Sequence, residues 1–226
     1  MNKTFSTLVP LAILAGLSAM PAQAVDLNSV TFAQFTQQSS VKIAHYGATG
    51  TGNTLTIAES PVYFTVTAFG PIGFYPSTMT MTAASVSPIS NVGLQNQQTG
   101  WAGNMHFGDG ANYLDLNFSN ATFSFDGAGG SASLISTDPA NPIAYASSFL
   151  TLPAFDFKNF SLSFTGLTPP FQVAANGFGN AFNANIAGSF AGSAVPEPAN
   201  WVLLLTGFGL VGWSARRRQW PVVVTA

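Results

Sequence analysis

Two histidines, His45 and His106, are the only imidazoles in a chain whose charged residues make up just 6% of the total. Nucleophilic catalysis needs such a base beside a nucleophile, held by a third group. No serine lies in a Gly-x-Ser-x-Gly elbow. His45 falls inside an extended segment, residues 41–46, and reads as a sheet residue. His106 stands beside Phe107 and the Gly108-Asp109-Gly110 turn, where a loop would leave it free to act. Glycoside hydrolysis needs two carboxyl groups across the scissile bond. Asp109, Asp126 and Asp138 adjoin Gly or Pro, as turn aspartates do, and Asp115 suits the wet face of a strand. No catalytic constellation is visible, and a non-enzymatic protein is expected. A polysaccharide hydrolase remains a minor alternative.

Binding chemistry has more candidates. Asp109, Asn112 and Asp115 gather oxygen ligands over a short span, enough for a structural calcium though not for an EF-hand loop. No other cofactor is implied. Tyr75, Trp101 and Tyr113 are candidate platforms for stacking on sugar rings, with residues 91–104 as a polar loop around Trp101. The alternative is that these aromatics belong to the core. Thr65 with Thr67, and Thr78 with Thr80 and Thr82, form short threonine ladders. They lack the regular repeat of a flat ice-binding face, and alternating Thr is ordinary strand patterning.

The elements that must position these residues read as β throughout. Polarity comes from Ser, Thr, Asn, Gln and Gly rather than from charges, and there are 20 Phe. Short polar side chains beside Phe and Val suit a pleated sheet. Segments 30–36, 41–46, 54–58, 62–69, 79–82, 113–118, 122–125, 160–164 and 182–190 alternate or are rich in β-branched and aromatic residues. Turn formers separate them at 70–71, 108–110, 126–127, 129–130, 138–139, 141–142 and 169–170. The expected fold is all-β: an antiparallel β-sandwich, jelly-roll-like, over residues 25–190, followed by a flexible linker at 191–194. With no cysteine there is no disulfide, thiolate site or thiol nucleophile. Between the two ends, Lys42 and Lys158 face Asp26, Glu59, Asp109, Asp115, Asp126, Asp138 and Asp156. So acidic a surface excludes electrostatic binding of nucleic acid.

Both ends read as sorting segments. Lys3, the apolar run at 11–20, and small residues at Ala22 and Ala24 make residues 1–24 a signal peptide, a helix removed by signal peptidase before Val25. At the other end, Pro196, Glu197 and Pro198 precede an uncharged apolar run at 201–215 and then Arg216, Arg217 and Arg218. As a helix this run is about 22 Å long against a bilayer core of about 30 Å, so it spans with help from its flanks. The arginines fix its orientation, inside the cell.

Residues 195–218 resemble the PEP-CTERM sorting signal, in the variant where Trp follows the second Pro by three positions. Pro196, Glu197 and Pro198 match the triplet. Trp201, Gly207, Gly209, Gly212 and the three arginines match the rest. Val202 stands where the variant usually has Ala, and residues 219–226 extend beyond the usual stop. The resemblance implies recognition by an exosortase, a membrane cysteine protease that cuts near the triplet. It also implies a Gram-negative producer of exopolysaccharide. The expectation is an exported protein, anchored in the inner membrane as a precursor, then released to the cell surface or beyond. Exopolysaccharide is its expected partner, and a lectin-like carbohydrate-binding module is the alternative.

Overall fold

The structure, a computed structural model, describes residues 29–93, 95–137, 142–194 and, singly, Thr206, Phe208 and Leu210. Eleven strands run in chain order: β1 Val30–Gln37, β2 Ala44–Thr49, β3 Gly52–Val66, β4 Gly73–Ser85, β5 Ser90–Val92, β6 Gln95–Gly108, β7 Asn112–Phe125, β8 Ser131–Thr137, β9 Ile143–Ala146, β10 Phe155–Thr168 and β11 Phe182–Ala194. Every strand pairing is antiparallel. The order β6-β4-β3-β1-β11-β10-β8-β7 is closed by a β6–β7 pairing, so the strands form one barrel. The expected division into two packed sheets is therefore replaced by a single closed sheet. Alternation gives each strand a dry and a wet face in either architecture, and only the pairing decides between them.

Three of the barrel's positions are shared by two strands. β1 and β2 both pair with β3 and β11, at opposite ends of the slot. β8 and β9 share the outer edge of β7, and β4 and β5 share β6. Long strands outrun their neighbours, and short ones complete the hydrogen bonding. Segments that alternation reads as separate are joined by β-bulges. The run at 54–58 and the part of 62–69 up to Val66 become one strand, β3, across a register shift between Ile57 and Ser60. The predicted linker at 191–194 is strand: Ala191 and Gly192 pair with β1, and Ala194 faces Phe155 on β10. Gly192 is small because a ring lies against it. A Cβ on Gly192 would meet the Phe155 ring at 2.5 Å.

The interior is filled by aromatic side chains. Phe32, Phe35, Phe64, Phe107, Phe123, Phe125, Phe160, Phe164 and Phe190 are fully buried. Rings meet in close pairs, such as Phe125–Phe171 at 3.6 Å and Phe123–Phe164 at 5.0 Å. A barrel of about eight strands encloses a space that side chains fill. One end is closed by buried hydrogen bonds. The Tyr46 hydroxyl donates to Gln98 Oε1 at 2.8 Å, Gln98 Nε2 donates to Asn53 Oδ1 at 3.1 Å, and Asn53 Nδ2 donates to the Gly179 carbonyl at 3.0 Å. Burial pushes the Tyr46 phenol well above its usual pKa.

At the opposite rim lie the start of β1, the β3–β4 loop, residues 147–154 and the end of β11. Thr151 N donates to the Phe69 carbonyl at 2.7 Å, and the Phe69 and Phe155 rings stand 5.6 Å apart. Among the described residues no helix is long and apolar enough to cross a membrane. Thr206, Phe208 and Leu210 are helical.

Candidate functional site

The chemistry-bearing residues of the chain's middle meet on the outer wall. His106 lies within β6 rather than in a loop, between the buried Met105 and Phe107, and so points outward. Its register partner on β7 is Asp115. His106 Nδ1 lies 2.6 Å from Asp115 Oδ1, and Asn112 Nδ2 donates to Asp115 Oδ2. Thr80 on β4 flanks His106 on the other side. Glu59 enters from the β3 bulge. It lines a cleft of about 390 Å³ with Thr78, His106, Gly108, Asp109, Gly110, Ala111 and Asn112. Sequence reasoning missed Glu59, because only the bulge turns it toward β4.

This cleft holds an imidazole oriented by a carboxylate. With Asp115 accepting at Nδ1, a neutral imidazole here would carry its proton on Nδ1 and have the Nε2 lone pair left to accept. The pair is 48% and 38% exposed, however, so solvent keeps the attraction weak. The hydroxyl that lines the cleft with it is engaged elsewhere: Thr78 Oγ1 donates to the Gly108 carbonyl at 2.9 Å. The calcium candidates lie close together: Asp109 and Asn112 line the cleft, and Asn112 donates to Asp115. Both Asp115 oxygens already accept, from His106 and from the Asn112 amide, and the Asp109 amide closes a turn onto the Ala111 carbonyl at 3.3 Å. Among the described residues no three His, Cys, Asp or Glu side chains come together to hold a metal.

The sugar-platform candidates divide. Trp101 is wholly buried, with Tyr46 at 5.8 Å and Phe123 at 5.4 Å, and offers no face to a ligand. Residues 95–104 are strand, not loop, because Gln98, Trp101 and Met105 are pulled inward while Asn104 stays outside. Tyr75 and Tyr113 are half-buried against Phe149, at 5.0 and 4.8 Å, and serve as packing under residues 147–154.

A different feature emerges from register alone. Asn183 pairs with His45, His45 with Thr56, Thr56 with Thr82, Thr82 with Asn104, Asn104 with Asn117, and Asn117 with Ala144. All seven are exposed. At about 4.8 Å between strands, the polar stretch from Asn183 to Asn117 is roughly 24 Å long. His45 Nδ1 lies 2.6 Å from Asn183 Oδ1, which fixes one end. Asn is disfavoured in strands. Three of them in one row break local propensity, as functional surfaces do.

The signal-peptide positions Ala22, Ala24 and Val25 lie outside the described residues. So do Pro196, Glu197, Pro198, Trp201, Gly207, Gly209, Gly212, Arg216, Arg217 and Arg218 of the sorting tail, and the turn at Asp138. Comparison of the chain with protein-family models, with curated proteins and with solved structures found no match.

Proposed function

We propose that the chain is an exported surface or extracellular-matrix protein. A signal peptide delivers it, its C-terminal tail holds it in the inner membrane, and an exosortase-type protease cuts it near Pro196-Glu197-Pro198. The observation that carries this reading is the order of triplet, apolar run and arginines after a complete barrel. β11 runs to Ala194, so the triplet follows the last strand with only Val195 between. Two prolines end any regular structure there, and Glu197 stays outside the bilayer because burying its charge is expensive. The scissile region is thus offered between a rigid body and a membrane. The test is mass spectrometry of the extracellular form. Peptides beyond the triplet should be missing, and Glu197→Ala should leave full-length protein in the inner membrane. Extracellular protein that retains Trp213 would overturn the reading.

A second reading, contact with polysaccharide, is favoured by the row from Asn183 to Asn117. Amide and hydroxyl groups without charge match the hydroxyls of a neutral glycan, lying across the strands. Replacing Thr82, Asn104 and Asn117 together with Ala should weaken retention on a column of the producer's own polysaccharide. Unchanged retention would remove the row from the account.

A further inference from the structure

The chain enters and leaves the barrel at one rim, and that rim carries a fixed, exposed apolar pair. Val30 opens β1 opposite Gly192, and Ala194 closes β11 opposite Phe155. The β3–β4 loop packs against the same place through Phe69, whose ring lies 5.6 Å from Phe155 and 6.3 Å from Phe32. Phe69 has φ of 61°, a left-handed conformation that a bulky residue rarely adopts. This strained turn sends Phe69 inward and leaves Ile72 and Phe74 outside, each 78% exposed. The Tyr75 hydroxyl donates to the Pro71 carbonyl at 2.8 Å, and Gly70 sits against Leu150, so the loop is held in this shape. Other exposed apolar side chains, Val41, Val86 and Val92 among them, lie outside this loop.

What covers this pair follows from where the chain goes next. Residues 195–200 are all that separates Ala194 from Trp201, the first residue of the apolar run. Fully extended, the seven steps from Ala194 to Trp201 reach at most about 25 Å. If the run is in the bilayer, this rim and no other is held against the membrane surface. Asp156 and Lys158 beside it are opposite in sign, so apolar insertion rather than charge must supply the attraction.

We propose that in the anchored precursor this rim docks on the lipid surface, with Ile72 and Phe74 entering the boundary between headgroups and acyl chains. The proposal rests on the anchoring reading above. Two side chains bind a bilayer weakly on their own, but the tether makes the encounter intramolecular and raises the effective concentration to about the millimolar range. Cutting the tail removes that advantage, and the barrel leaves the surface.

The chain has no cysteine, so a single introduced thiol is labelled uniquely. Ile72→Cys, and Val92→Cys as a control at the far end, each carry an environment-sensitive fluorophore. The full-length proteins are reconstituted into phosphatidylethanolamine–phosphatidylglycerol vesicles with quenchers on the acyl chains, after circular dichroism has shown the barrel intact. At position 72 the emission should shift to the blue and be quenched several-fold more strongly than at position 92. Flotation with the vesicles reports the anchor separately. Protein that fails to float refutes the anchoring reading and the docking with it. Protein that floats while the label at 72 stays as wet as at 92 refutes the docking alone. A blue shift without lipid quenching that grows with the protein-to-lipid ratio would identify a second copy as the occupant, and would also overturn the proposal.

Discussion

Trp101→Ala is the sharpest single test of the barrel interior. Among the described residues the indole is the largest fully buried side chain, and it packs against Tyr46 and Phe123 at one end of the core. Truncation of a buried Trp costs about 3–5 kcal/mol, in a domain whose whole stability is about 5–15 kcal/mol. At an m-value of about 2 kcal/mol per molar urea, the unfolding midpoint should fall by roughly 1.5–2.5 M. Trp101→Phe should behave quite differently. Trp101 Nε1 is buried and has no hydrogen-bond partner among the described residues. Phe therefore deletes a donor that holds nothing while it keeps most of the ring contact, and the loss should be about 1 kcal/mol or less. Urea unfolding followed by far-ultraviolet circular dichroism measures both. In a processed form ending before Trp201, Trp101 is the only tryptophan, and its emission should be that of a buried indole until the barrel unfolds. The reasoning fails if Trp101→Ala leaves the midpoint unchanged, or if Trp101→Phe costs as much as Trp101→Ala. The first result would place the ring at the surface, as a sugar platform requires. The second would mean that the indole N–H has a partner.

Two further outcomes follow from local geometry. A Cβ on Gly103 would lie 2.3 Å from the Thr82 carbonyl oxygen and 2.6 Å from the Ala83 Cα, both backbone atoms that cannot yield singly. Gly103→Ala should therefore pry β4 from β6 and lower stability by about 1–3 kcal/mol, with faster amide exchange on Thr82 and Ala83; exchange unchanged there would refute the contact. Asp126 accepts from the Ser131 hydroxyl at 2.6 Å and from the Gly130 amide at 2.9 Å, and these bonds hold its carboxyl below the usual range. A lowered folded pKa gives stability that is present above the unfolded value of about 3.9 and is lost as the pH falls through the folded one. Asp126→Asn should thus cost no more than about 1 kcal/mol at neutral pH, since the site is open to solvent, and the two proteins should converge in stability below about pH 3. A difference that persists undiminished in acid would show that the side-chain shape, not its charge, matters.

Much of this protein is written locally. Alternation at 30–36, 113–118, 160–164 and 182–190 sets which side chains turn inward, because successive strand residues point to opposite faces whatever they pair with. Small residues and prolines mark most of the turns for reasons of backbone conformation. The sorting segments, too, are properties of composition and order along the chain. What the sequence could not fix is partnership. Trp101 and Gln98 sit in a stretch rich in Gln, Asn and Gly, and they read as loop because burial of Gln98 is possible only when Tyr46 and Asn53 arrive from distant strands to satisfy it. Residues 191–194 read as linker because small side chains usually mean freedom, whereas here they are strand, and Gly192 makes room for Phe155. The choice of one closed barrel over two sheets rests on the β6–β7 pairing, and the polar row from Asn183 to Asn117 exists only through the register of six strands. Alternation fixes a face two residues at a time, but register is a relation between segments far apart in the chain, and only tertiary folding decides it.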